Sequence, residues 1–163
     1  MNASGLNQGT SGNVSARVQD GMLITPSGMP YKLMKTADIV YMRTDGTYEG
    51  DLVPSTEWRF HLDIMNSRPE VNAIVHAHPT FSTTLAIMKK NIPPLHYMVA
   101  VAGGSDIRCA KYATFGTKEL SENALKALKD RKACLLAHHG MIATGPDLAK
   151  AMWLAIETET LAK

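Results

Sequence analysis

The stretch AIVHAHPT, residues 73–80, joins a short apolar run to two histidines and then a proline. Its alanine and β-branched residues predict a buried strand, which Pro79 ends. Residues i and i+2 of a strand point to the same face, so His76 and His78 project from one side near the strand end. We expect both imidazoles to reach a common point, as a metal chelate requires.

A catalytic zinc site usually has three protein ligands and one open position. The best source of a third ligand is LLAHHGMIA, residues 135–143, where a second apolar strand ends in His138, His139 and Gly140. His61 lies within a helical pattern and His96 follows two prolines, so both rank lower. An H-x-H pair alone is a weak motif, and the second histidine-bearing strand strengthens it.

Glu57 is the candidate acid. The segment PSTEWRFH, residues 54–61, places it in the first turn of a predicted helix, where free N–H groups and the positive dipole end favour a carboxylate. It is a candidate fourth ligand or proton carrier, and the alternative is an acidic residue that only completes the helix start. Three turns rich in glycine and hydroxyl groups have the donors that cradle phosphates: residues 7–17, 25–28 and 54–56. Together these features indicate carbonyl polarisation on a phosphorylated substrate.

Composition limits the remaining classes of function. The chain has 163 residues, 45% hydrophobic and 20% charged, which fits one domain. Its 17 basic and 15 acidic residues are dispersed and give no footprint for nucleic acid or a membrane surface. It has no membrane-spanning run and no signal-like start, so we predict a cytoplasmic protein. Cys109 and Cys134 lack C-x-x-C spacing and are predicted to be free thiols.

The periodicities predict a mixed α/β fold of short strands separated by helices. The predicted strands cover residues 21–26, 38–46, 71–78 and 132–144, and the predicted helices cover 55–69, 117–131 and 144–163. Ser55 and Thr117 are the expected N-caps of the first two helices. Thr144, three residues before Asp147, resembles the start of a capping box for the third.

Seven motifs, in order along the chain, resemble the class II aldolase/adducin family, most closely its fuculose-phosphate aldolase branch. They are GLNQGTSGNVSAR (5–17), MLITPSGMPY (22–31), PSTEWRFH (54–61), AIVHAHPT (73–80), IPPLHYM (92–98), YATFGT (112–117) and LLAHHGMIA (135–143). The resemblance covers nearly all of residues 1–163. It implies a single α/β domain with a central, mainly antiparallel sheet flanked by helices, assembled as a cyclic homotetramer with active sites between subunits.

The resemblance also implies zinc. Its ligands would be His76, His78 and His139, with His138 a neighbour that does not bind the metal. Glu57 matches the family's acid/base glutamate, which can also touch the resting metal. The family usually has a helix before these motifs and a tail after them, neither of which the chain has in full, so we expect it to be part of a longer protein.

The phosphate-binding turns of the family correspond to five residues here: Asn13, Ser27, Gly28, Ser55 and Thr56. Relatives often have Thr in place of Ser27 and Ser in place of Thr56, exchanges that keep a hydroxyl. Tyr97 matches a tyrosine that enters the neighbouring subunit's site and serves the aldehyde oxygen. Phe115 corresponds to an aromatic residue near that interface.

The implied reaction is reversible cleavage of a ketose 1-phosphate, expected to be L-fuculose 1-phosphate, to dihydroxyacetone phosphate and L-lactaldehyde. Aldolases for 5-deoxyribulose 1-phosphate or 5-methylthioribulose 1-phosphate remain alternatives, as does a methylthioribulose dehydratase. A ribulose 5-phosphate 4-epimerase characteristically has aspartate at the position of Glu57, so this glutamate favours the aldolase. An adducin-like interaction module would lose the metal ligands, and the three histidines with Glu57 argue against it.

Overall fold

An eight-stranded sheet forms the centre of the structure, a computed structural model that describes residues 1–163. Its strands are β1 (Asn13–Val18), β2 (Gly21–Ile24), β3 (Val40–Arg43), β4 (Tyr48–Glu49), β5 (Ala73–Ala77), β6 (Arg108–Ala110), β7 (Ala133–Leu136) and β8 (Gly140–Gly145). Their order across the sheet is β4-β3-β2-β1-β5-β8-β7-β6. Every neighbouring pair is antiparallel except β6 and β7, so the predicted mainly antiparallel sheet is confirmed.

Four helices cover the two faces of the sheet. They are α1 (Trp58–Ser67), α2 (Thr80–Ile87), α3 (Lys118–Ala127) and α4 (Leu148–Ala162). Ile74 of β5 belongs to the core that contains residues of α1 and α3, whereas its neighbour Val75 belongs to the core that contains residues of α2 and α4. Successive strand residues point to opposite faces, so β5 anchors both cores. No helix is long and apolar enough to cross a membrane.

Most predicted elements are present with shorter bounds. The strands predicted over 21–26, 38–46 and 71–78 contain β2, β3 and β5, and the three predicted helices contain α1, α3 and α4. Thr117 caps α3 as expected, since its hydroxyl accepts a hydrogen bond from the backbone N–H of Leu120 at 3.2 Å. Cys109 and Cys134 are both free thiols.

Two predicted helix caps are wrong. Glu57, not Ser55, occupies the N-cap position of α1, and the Ser55 hydroxyl instead lies 3.3 Å from the backbone nitrogen of Glu57. At α4 the cap is Asp147 itself, which accepts from the backbone N–H of Lys150 at 2.7 Å. Thr144 cannot take part because it still belongs to β8.

The segment 132–144 is a hairpin, not the single strand that was predicted. β7 ends at Leu136 and β8 begins at Gly140, so the chain reverses between them. His138 makes the reversal with a positive φ of 56°, a left-handed conformation that histidine adopts more often than most residues other than glycine. The predicted strand end at His138, His139 and Gly140 is therefore where the chain turns, and the segment returns as β8 with His139 at the tip of the hairpin.

Three strands and one helix were not predicted: β1, β4, β6 and α2. In β1 the buried residues include the polar Asn13 and Ser15, while Val14 and Ala16 are only half-buried. The alternation is therefore inverted relative to an ordinary half-buried strand, and apolar periodicity cannot detect it. The buried face of β1 is therefore polar, and Asn13 on this face also belongs to the candidate site.

A backbone bridge closes the segment between β5 and β6 that contains Tyr97. The N–H of Ile92 donates to the carbonyl of Ile107 at 2.9 Å, and the N–H of Ile107 donates to the carbonyl of Ile92 at 3.0 Å. Both side chains are buried in the structure. The two ends of residues 93–106 therefore lie at one point, and the buried Val99 and Ala102 pack part of the segment into the core that contains residues of α4.

Candidate metal centre

Three histidines and one glutamate converge at the end of β5. His76 is in the strand, His78 follows it, His139 lies at the tip of the β7–β8 hairpin, and Glu57 occupies the N-cap position of α1. The Nε2 atoms of His76 and His78 are 2.8 Å apart, and the Glu57 carboxylate lies 3.1 Å from His76 and 3.0 Å from His139. One candidate ligand atom from each of the four residues lies within 4.8 Å of the others. The two strand-end histidines thus reach a common point, as the strand period predicted.

Hydrogen bonds and burial favour metal binding by His76 and His78. Nδ1 of His76 lies 2.9 Å from the carbonyl oxygen of Met141 and donates its hydrogen there, which leaves the Nε2 lone pair facing the cluster. The side chain of Asn7 accepts from the backbone N–H of His78 at 2.9 Å and fixes the end of the strand. Burial, followed by the charges of neighbouring histidines, lowers the pKa of His78 to about 4 and keeps it neutral for binding.

Glu57 completes the ligand set with a carboxylate that is ionised at neutral pH. Burial raises its pKa, but His76 and His139 outweigh this effect and hold the pKa well below its usual range. Its Oε1 atom is buried and faces Nε2 of His139 at 3.0 Å. A buried carboxylate oxygen beside three imidazole nitrogens is the donor set that a divalent metal ion such as Zn²⁺ satisfies, so these residues fit the metal.

The five residues matched to phosphate binding surround one polar cavity of about 170 Å³ next to Glu57 and His78. They are Asn13, Ser27, Gly28, Ser55 and Thr56. Asn13 pairs with His76 in the β1–β5 register, which brings its amide to within 3.0 Å of Glu57 and 2.9 Å of the Ser55 hydroxyl. The cavity is therefore continuous with the metal cluster through shared residues.

Gly12 makes the tight floor of this polar cavity. Its φ is 72°, and a Cβ atom there would lie 2.1 Å from the Asn7 amide nitrogen and 2.6 Å from the carbonyl oxygen of His76. Tyr31 stabilises the same loop because its hydroxyl lies 2.7 Å from the carbonyl oxygen of Gly12. Asn7 and Tyr31 lie in quoted motifs, yet neither was identified, since their roles depend on contacts between distant segments.

A second cavity, of about 340 Å³, opens on the other side of the cluster. It shares Thr56, Glu57 and His78 with the polar cavity, and its further lining residues are Tyr112, Ala113, Phe115, His138 and His139. His138 packs edge-on against Tyr112, with ring centroids 5.8 Å apart, and is not among the cluster residues. The cluster thus stands between a polar and an aromatic cavity.

Tyr97 is not brought to the cluster within this chain. It is 80% exposed and lies beside a separate cavity lined by Pro94, Leu95 and His96. The weaker candidate ligands are also elsewhere. His96 accepts from the backbone N–H of Met98 at 3.2 Å, and His61 is fully buried and hydrogen-bonded to Ser15 and Asn13.

A mainly antiparallel sheet with a convergent histidine and carboxylate cluster at its central strand is typical of a metal-dependent enzyme. The family model described as Class II Aldolase and Adducin N-terminal domain matches residues 1–163. The chain belongs to this family, and the resemblance of the seven motifs is confirmed.

Individual relatives support the same assignment. The L-fuculose phosphate aldolase of Escherichia coli strain K12 is 55% identical over 163 residues, which cover 100% of this chain and 76% of that protein. The 5-methylthioribulose-1-phosphate/5-deoxyribulose-1-phosphate aldolase of Rhodospirillum rubrum is 57% identical over 159 residues, or 98% of this chain and 72% of that protein. A solved structure of L-fuculose 1-phosphate aldolase matches with a TM-score of 0.95 and 44% identity, over 98% of this chain and 76% of that one.

Proposed function

We propose that this chain is a zinc-dependent aldolase that reversibly cleaves L-fuculose 1-phosphate to dihydroxyacetone phosphate and L-lactaldehyde. The observation that carries the proposal is the position of Glu57 and the three histidines between a polar and an aromatic cavity. Such a site has room for a phosphate on one side, an aldehyde on the other and the reacting carbons at the cluster. The family and the 55% identical fuculose-phosphate relative support the reaction type.

The roles of the residues follow from this placement. His76, His78 and His139 would hold the zinc ion, which supplies Lewis-acid polarisation of the substrate carbonyl when bound. Amide and hydroxyl donors of the polar cavity, Asn13 and Ser55 among them, would bind the phosphate and orient the ketose. Ser27, Gly28 and Thr56 complete that phosphate site.

Glu57 would carry the proton on the dihydroxyacetone phosphate side. During cleavage the substrate hydroxyl loses its proton, its oxygen becomes the aldehyde carbonyl, and the carbon–carbon bond breaks. The bonding electrons stay with the dihydroxyacetone phosphate carbon, which gains one proton through Glu57. The carboxylate, ionised at rest, first takes up a proton and then delivers it to the carbon, so the proton lost by the hydroxyl and the proton gained by the carbon balance. In the synthetic direction Glu57 takes the same proton away.

Tyr97 would serve the aldehyde oxygen in the site of a neighbouring subunit, within a homotetramer. Its 80% exposure supports this role, because a side chain so exposed in the single chain is free to enter another copy. Phe115 is 62% exposed at the aromatic cavity and fits the same interface.

A second substrate class has specific support. The Rhodospirillum rubrum relative, 57% identical, is named for 5-methylthioribulose 1-phosphate and 5-deoxyribulose 1-phosphate. Both sugars share the ketose 1-phosphate end with L-fuculose 1-phosphate and differ from it at the aldehyde end, which the aromatic cavity would bind.

We also propose a cytoplasmic location, which the two free thiols support because reducing compartments keep cysteines unpaired.

The proposal is tested by an assay that couples dihydroxyacetone phosphate release to a dehydrogenase. The zinc-loaded protein is given L-fuculose 1-phosphate, 5-deoxyribulose 1-phosphate and 5-methylthioribulose 1-phosphate in parallel, each with and without a chelator. We expect chelator-sensitive release, with the highest kcat/KM for L-fuculose 1-phosphate. A higher value for another ketose would change the substrate, and no release from any with zinc bound would overturn the aldolase in favour of an epimerase or dehydratase.

A further inference from the structure

His61, which is not among the proposed metal ligands, is linked through one side chain to Glu57, the proposed proton carrier. His61 of α1 is fully buried, and its two ring nitrogens face two side chains of β1. Nδ1 lies 2.7 Å from the Ser15 hydroxyl, and Nε2 lies 2.5 Å from the amide oxygen of Asn13. The amide nitrogen of Asn13 in turn lies 3.0 Å from Glu57 Oε2.

The direction of each hydrogen bond follows from the Glu57 end of this series of side chains. The ionised Glu57 carboxylate can only accept, so the NH₂ group of Asn13 must face it, and the same group donates to the Ser55 hydroxyl at 2.9 Å. The amide oxygen of Asn13 therefore points to His61 and can only accept. The ring nitrogen opposite it, Nε2, must carry the hydrogen.

The other ring nitrogen then has one remaining role. Burial lowers the pKa of His61 to about 3, so the ring is neutral and carries a single hydrogen. With that hydrogen on Nε2, Nδ1 is an acceptor and the Ser15 hydroxyl donates to it. Ser15, His61 and Asn13 thus form a one-way series of donors that ends at Glu57.

We propose that His61 is a positioning residue for the reaction, because its Nε2–H holds the Asn13 amide in the orientation that presents NH₂ to Glu57 and Ser55. The inference rests on the proposed aldolase function. Without this donor the Asn13 amide can rotate, and a rotated amide would place its oxygen against the Glu57 carboxylate. Glu57 would then lose both a fixed position and a hydrogen bond to its anion.

Two substitutions at His61 separate this role from simple packing. His61→Gln keeps an N–H donor near the position of Nε2, whereas His61→Leu keeps an apolar side chain in the buried space and removes the donor. We expect His61→Leu to lower kcat by roughly 10- to 100-fold, as outer-shell partners of metal sites do, and to raise KM as well, because Asn13 also belongs to the proposed phosphate site. His61→Gln should restore kcat to within about threefold of wild type, and both variants should keep one zinc per chain.

A purely structural role would give a different pattern. It would lower the melting temperature of the variants and leave kcat per folded, zinc-loaded enzyme unchanged. A His61→Leu variant with kcat within about twofold of wild type would overturn the proposal, and so would equal impairment of the Gln and Leu variants. If His61→Leu does not fold, Ser15→Ala replaces it, because loss of the Ser15 hydroxyl leaves Nδ1 without its donor and should lower kcat by a smaller factor.

A substrate-free measurement keeps the two hypotheses apart. Nitrogen-15 NMR of histidine-labelled protein reports which ring nitrogen is protonated, and we expect His61 to be the Nε2–H tautomer in wild type and to gain Nδ1–H tautomer in Ser15→Ala. An Nδ1–H tautomer in wild type would overturn the positioning role even if the protein is an active aldolase. Failure of wild type to release dihydroxyacetone phosphate would overturn the proposed function, while the tautomer still tests the series of donors.

Discussion

The metal centre and the Tyr97 segment are built in opposite ways. His76 is fully buried in the central strand, and the other cluster residues come from elements that pack around it. Tyr97 and Leu95 are 80% and 81% exposed, although Val99 and Ala102 of the same segment are buried in the core. The difference teaches that the residues proposed to hold the metal and the phosphate converge within one chain, whereas the exposed Tyr97 does not reach them.

The largest expected effect separates two adjacent histidines at the hairpin tip. His139→Ala should lose the bound metal and reduce activity to background, because only two of the three imidazole ligands remain. Metal content by mass spectrometry and the coupled assay measure both losses.

His138→Asn is the matched control for that experiment. Asparagine tolerates the positive φ of 56° found at this position, so the hairpin should form and the metal should stay bound. Full metal retention in His139→Ala, or metal loss in His138→Asn, would show that the wrong histidine of the pair has been assigned.

Glu57→Gln tests whether the three histidines bind the metal without the Glu57 carboxylate. The three histidines remain, so we expect metal to be retained while kcat falls by about 100- to 10,000-fold, the range for loss of a proton carrier. Single-turnover kinetics and metal analysis on the same sample measure the two effects. A rate close to wild type would rule out Glu57 as the proton carrier.

Tyr97→Phe addresses the exposed half of the comparison. We expect kcat to fall by about 100-fold with metal content unchanged, because only the aldehyde side is affected. Coexpression of Tyr97→Phe chains with Glu57→Gln chains should recover part of the activity, since some sites then combine an intact Glu57 with an intact Tyr97 from the neighbour. Hybrids as inactive as the separate variants would contradict a shared site.

The smallest expected effect is on the free energy of unfolding and concerns the buried His61. The pKa of His61 falls from 6.5 to about 3 through burial, so the unfolded state binds more protons between these values. The contribution of the neutral ring is present above pH 6.5 and is lost as the pH falls toward 3, by up to about 1.4 kcal/mol per pH unit. Urea unfolding of metal-free wild type and His61→Gln should show a shallower acid decline in the variant. Equal slopes would contradict a buried neutral His61.

The sequence predicts structure correctly where the periodicity of a single strand or helix determines it. The alternation of strand side chains placed His76 and His78 on one side, and a cap at Thr117 followed from spacing along one helix. It fails where a distant segment decides. The inner face of β1 is polar because Asn13 and Ser15 meet His61, 48 and 46 residues away, and no local pattern contains that partner.

The hairpin illustrates a second kind of failure. The sequence marks a strand end at His138, His139 and Gly140, but apolar residues on both sides do not show whether the chain continues or reverses there. The reversal depends on the positive φ of His138, which the sequence does not specify. The choice of His139 as the ligand therefore came from the family resemblance, and the hairpin geometry supplies its physical reason, since the tip residue faces Glu57 at 3.0 Å.

The bridge between Ile92 and Ile107 also bears on how such proteins can diversify. Both ends of segment 93–106 are fixed at the same place, and the buried Val99 and Ala102 hold its later part in the core. Leu95 and Tyr97 are exposed between these fixed points, so substitutions there can be accepted without a shift in the sheet that carries His76. Evolution can therefore vary this surface independently of the buried cluster.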